Sequence, residues 1–188
     1  MLGLAALAVA GMFAVIQWMP PLLGEPGGLS HAAGRPASVA AWIVAGSVVL
    51  ALSATWLVLP SRRSMLFAGP GLLVAVPLLV GVWLVLWHAT YLDPFTRAGW
   101  RCFTLTTLTA PWPFAVLAHA SRFIEPRHPA VAGAALGSVA GAWAAVMVEL
   151  WCPLTVHPHV LVGHVAPIVA LSLAGAAFGV RMFRLRRS

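Results

Sequence analysis

Lysine is absent from this chain of 188 residues, acidic side chains number four, and all charged residues together make up 8%. So little charge excludes an ordinary soluble domain, in which about a quarter of the residues are charged. A hydrophobic share of 61% and a mean hydropathy of +0.95 point the same way, and such a chain would not fold in water. Strand-like alternation is missing, which excludes a membrane barrel with polar residues at every second position. No phosphate-binding glycine loop, Ser/His/Asp arrangement or HExxH pattern occurs, so nothing supports catalysis and the chain is expected not to be an enzyme. Cysteine is scarce as well, with only Cys102 and Cys152.

What the chain does contain is apolar runs. A spanning helix needs about 20 mostly apolar residues, and six stretches qualify, at roughly 2–23, 37–59, 65–91, 103–120, 130–152 and 160–182. The expected fold is therefore all-α, a single polytopic domain over 1–188 built as a bundle of six transmembrane helices with short connections. The first stretch has no basic start and no clear small-residue cleavage pattern before Trp18 and Met19, so it is expected to be retained rather than removed as a signal peptide. Pro77, Pro111 and Pro113 fall inside helices and predict kinks, with Thr104, Thr106, Thr107 and Thr109 at hand to bond the freed carbonyls.

Orientation follows from arginine, because cytoplasmic loops collect positive charge. Of eleven arginines, eight fall on one side: Arg62, Arg63, Arg122 and Arg127 in the loops after the second and fourth helices, and Arg181, Arg184, Arg186 and Arg187 after the sixth. Only Arg35, Arg97 and Arg101 fall on the other, so both termini are expected in the cytoplasm. The net charge of +7 then reads as a topology signal and an attraction to the lipid bilayer, with no direct nucleic-acid contact.

This topology collects polar chemistry at the outer end. His88 and Asp93 follow the third helix, Cys102 opens the fourth, Glu149 and Cys152 close the fifth, and His157, His159 and His164 lead into the sixth. Small residues define faces there. Gly133, Gly137 and Gly141 recur at four-residue spacing, a pattern that lets helices approach closely in lipid, and Cys152 lies on that stripe. His164 shares a face with Gly175, so it is expected to turn inward.

Three readings of the cysteines stand side by side: a structural disulfide, two unrelated thiols in a tight bundle, or a pair that responds to oxidants or metals. Thiolate and imidazole together suit a thiophilic ion, Cu(I) or Zn(II). The expected ligands are Cys102 and Cys152 with His157 and His164, and with His159 and Glu149 behind them. The spacing matches no standard zinc motif, and Glu149 reads equally as an interfacial carboxylate paired with Arg97 or Arg101.

The run GWRCFTLTTL at 99–108, the loop RFIEPRHPAVAGAALG at 122–137 and VELWCP, followed by His157 and by Gly163–His164, resemble the NrsF-type anti-sigma factors. The resemblance runs from the second helix to the end and is most specific at Cys102 and at Cys152–Pro153. It implies a six-helix inner-membrane protein that holds a cytoplasmic extracytoplasmic-function (ECF) sigma factor inactive. It also implies that the two cysteines answer heavy metals or oxidants. The resemblance implies a cytoplasmic segment before the first helix, whereas Met1 already lies in the apolar run: either the start is misassigned, or the sigma factor is expected at Arg62, Arg63, Arg122, Arg127 and the basic tail. Two other functions compete: a protein that binds or transports copper or another heavy metal, and a non-catalytic packing subunit of a membrane complex. Few polar residues lie at mid-membrane, which disfavours transport.

Overall fold

A computed structural model of the protein describes residues 2–22, 99–121, 126, 128–149, 152 and 157–184. The expected helices at 37–59 and 65–91 lie outside the described residues, as do Arg62, Arg63, Arg122, Arg127, His88, Asp93 and Pro77. Among the described residues every regular element is a helix: α1 (Leu2–Leu22), α2 (Trp100–Thr109), α3 (Pro111–Ala120), α4 (Pro129–Glu149), α5 (His157–Val160), a π-helical turn (Leu161–Val165) and α6 (Ala166–Arg184). Two helical segments are long and apolar enough to cross a membrane, Pro129–Val148 and Pro158–Met182. Of the expected fold, the described residues show the all-helical character and two such helices.

The fourth expected helix, 103–120, is two helices, because neither Pro111 nor Pro113 has an N–H to donate to the ladder. Ala110 between them keeps helical dihedrals, φ −60° and ψ −31°, and donates to the Thr106 carbonyl at 3.0 Å. The interruption is therefore a gap in the hydrogen bonding and not a reversal of the chain. The fifth expected helix, 130–152, ends at Glu149. Cys152 donates its backbone N–H to the Val148 carbonyl at 2.9 Å, the four-residue spacing of an α-helical bond.

Helices α4 and α6 run antiparallel with their backbones nearly touching. A Cβ on Gly133 would meet the Gly175 carbonyl, one on Gly137 the Leu171 carbonyl, and one on Gly179 the Pro129 carbonyl. The glycine stripe thus does what its four-residue spacing predicts. Helix α4 lies at the centre, with 83% of its apolar window buried, whereas α6 lies at the periphery with 33% buried. The outer face of α6 leaves Val169, Leu173 and Phe178 exposed. Helix α1 crosses α3 with Gly11 against the Trp112 ring, and its Met12 and Ile16 share a buried apolar cluster with Cys102, Leu105, Met147, Val148 and Cys152.

Candidate functional site

Where the sixth helix was expected to run unbroken over 160–182, the structure begins it at His157 and widens it at Leu161–Val165. The cause is Pro167. It has no N–H for the Gly163 carbonyl four residues back, and its ring would crowd that oxygen. The turn opens to the wider π pattern, in which Ala166 donates to the Leu161 carbonyl. The Gly163 carbonyl instead accepts from Thr106 Oγ1 at 3.3 Å.

The expected role of the threonines needs correction in its details. Thr104 and Thr107 bond the carbonyls one turn back in their own helix, Trp100 and Phe103, at 2.9 and 2.8 Å. Thr109 Oγ1 is buried without a hydrogen-bond partner among the described residues. Thr106 alone among the four satisfies a carbonyl freed by a proline, and that proline lies in another helix.

The Thr106 bond draws the π turn against the start of α2. Both sides of the contact are glycine, since a Cβ on Gly163 would lie 2.8 Å from Cys102 Cβ and one on Gly99 would lie 2.7 Å from the Gly163 nitrogen. Cys102 and the histidine-bearing segment are therefore brought to the same point by the absence of two side chains.

Cys102, at the start of α2, donates its thiol hydrogen to Cys152 Sγ at 3.4 Å. Cys152 Sγ lies 3.2 Å from His159 Nε2. His164, carried by the π turn, stands beside His159 with ring centroids 5.8 Å apart and planes at 55°. One donor atom from each of Cys102, Cys152, His159 and His164 lies within 4.8 Å of the others. All four are buried, with exposures of 2%, 6%, 3% and 0%. Both cysteines are thiols in this structure.

Two cysteines and two histidines thus lie close together and could hold a metal ion. Every donor is nitrogen or sulfur, as zinc and similar soft ions require and as magnesium and calcium do not. Of the residues expected here from the sequence, the structure brings together Cys102, Cys152, His159 and His164. For His157, at the first position of α5, and Glu149, at the last of α4, only the backbone is described. His159, expected only behind the others, stands in direct contact with Cys152. Thr106 was expected to bond a freed carbonyl, but not this one in another helix, and the available signal was a proline four residues after Gly163.

A family model named NrsF, described as negative regulator of sigma F, matches residues 2–185. No curated protein and no solved structure matches the chain.

Proposed function

The chain belongs to the NrsF family of negative regulators of sigma F, and on that premise we propose that it is a multi-pass inner-membrane anti-sigma factor that senses oxidants or thiophilic metals through Cys102 and Cys152. Its partner is a cytoplasmic ECF sigma factor, held at the membrane while the sensor is at rest. The protein acts by changing shape and not by catalysis. Six helices cross the bilayer, both termini face the cytoplasm, and the cysteines lie at the opposite end.

One observation carries the sensor reading: two sulfurs fifty positions apart in sequence stand 3.4 Å apart, buried between an apolar cluster and two histidines. A disulfide needs about 2.05 Å between sulfurs, so oxidation draws the two segments together. With hydrogen peroxide as oxidant, the two thiols give up two protons and two electrons, one S–S bond forms, the peroxide O–O bond breaks, and the peroxide leaves as two waters. Helix α4, with 21 residues, is a rod of about 30 Å. A shift at its cysteine end reaches the far end, beside the loop of Arg122 and Arg127. The sigma factor is held by Arg62, Arg63, Arg122 and Arg127 in one arrangement and released in the other, and the stimulus acts by favouring the second.

Two measurements test the partner and the topology. Full-length protein in nanodiscs is expected to co-elute with the sigma factor encoded beside it, and deleting the gene should raise transcription from that factor's promoters. A reporter fused after Ser188 is expected to be active only in cytoplasmic form. Failure of both binding and derepression overturns the anti-sigma reading, and a reporter active outside overturns the placement of the cysteines.

A further inference from the structure

We infer that Cys102, Cys152, His159 and His164 form a four-coordinate site for one divalent zinc-class cation, and that the bound ion keeps the two thiols from joining as a disulfide. The inference deepens the sensor reading and rests on it for its biological meaning.

The distances fit tetrahedral coordination. With zinc–sulfur bonds of about 2.3 Å and zinc–nitrogen bonds of about 2.0–2.1 Å, the donors of a tetrahedral site stand roughly 3.3–3.8 Å apart. The two sulfurs are at 3.4 Å, Cys152 Sγ and His159 Nε2 at 3.2 Å, and no pair of the four donors exceeds 4.8 Å. Closing the set therefore takes side-chain shifts of about 1 Å and no refolding.

Charge selects the ion. On binding, each thiol gives its proton to water, so two thiolates and two neutral imidazoles surround the cation. A divalent ion brings their sum to zero. A monovalent ion such as Cu(I) leaves one uncompensated negative charge beside Met12, Ile16, Leu105, Met147 and Val148, which an apolar shell penalises heavily. Zinc and cadmium meet the charge, the donor softness and the coordination number together.

The bound ion and the disulfide exclude each other. Coordination moves the sulfurs apart, from 3.4 Å to about 3.8 Å, whereas oxidation contracts them to about 2.05 Å. Coordinated sulfur is also withdrawn from the thiolate attack that starts disulfide formation.

The probe is cobalt(II), titrated anaerobically into full-length protein in nanodiscs. The expected result is one ion per chain, with a thiolate charge-transfer band and the intense visible bands of tetrahedral cobalt, both abolished by zinc. His159→Ala and His164→Ala, each checked for helical content, should weaken binding by roughly a hundredfold or more, since each removes one of four ligands. X-ray absorption at the zinc edge of the unaltered protein needs no variant to fold, and it should read two sulfur and two imidazole donors. Diamide should consume both thiols in metal-free protein and neither in zinc-loaded protein. A pale six-coordinate cobalt spectrum, a zinc shell without imidazole, or folded histidine variants that bind as the parent does would overturn the site. Equal oxidation with and without zinc would overturn the protection. Tight tetrahedral binding without any change in sigma-dependent transcription would leave the site standing and sink the sensor reading. An oxidant response in a protein that binds no cobalt would do the reverse.

Discussion

At the scale of single residues, the site depends on what is missing as much as on what is present. Gly99 and Gly163 leave room for Cys102 to reach the histidine segment, and Pro167 withholds the N–H that would otherwise cap Gly163. Thr106 completes the arrangement by donating to the Gly163 carbonyl. Interhelical hydrogen bonds of this kind contribute about 0.6 kcal/mol in membrane bundles. Thr106→Val is accordingly expected to fold, to lose roughly that much stability in a reversible unfolding titration, and to bind cobalt more weakly than the parent but more tightly than His164→Ala. Loss of the fold, or binding unchanged from the parent, would show that the bond does not hold the π turn in place. The cysteines and the histidine cluster were legible from residue type and from helix-end placement. The direct contact of His159 with Cys152 was not, because counting at 100° per residue fails where a helix begins and then widens within a few positions.

At the scale of elements, two devices set the geometry. The first is the glycine seam between α4 and α6, where a Cβ on Gly133 would meet the Gly175 backbone carbonyl and could not be relieved by a side-chain rotation. Gly133→Leu is expected to cost about 3 kcal/mol, the upper end for overpacking, while Gly3→Ala, with open space around it, should be neutral. Equal stabilities of the two variants would contradict the seam. The second device is the π turn. Pro167→Ala restores the missing N–H, so the turn should tighten to a regular helix and rotate His164 away from the cysteines. Unfolding stability is then kept or raised while cobalt affinity falls, and a variant that keeps full affinity would remove Pro167 from the account. The seam was readable because four-residue spacing of glycines has one structural use in a membrane helix. The break at Ala110 was equally announced by Pro111. The π turn was hidden, since one proline in a long apolar run looks the same whether the helix kinks or widens.

At the scale of the whole molecule, the described residues gather Cys102 at the start of α2, Cys152 just beyond the end of α4, the start of α5 and the second half of α1. Arg181 and Arg184, in the last turns of α6, stand at the other end. Helices α4 and α6 run antiparallel, and the outer face of α6 is apolar and exposed. On the proposed reading, this separation puts the cysteine pair at one end and the basic last turns of α6 at the other. The most direct test is transcription from a sigma-dependent promoter, read in cells carrying the parent, Cys102→Ser, Cys152→Ser or the double variant, with and without cadmium or peroxide. The parent is expected to switch transcription on with stimulus, and every cysteine variant, present in the membrane at the parent's level, should lose that response. Variants that respond as the parent does would contradict the claim that the Cys102–Cys152 pair is the sensor.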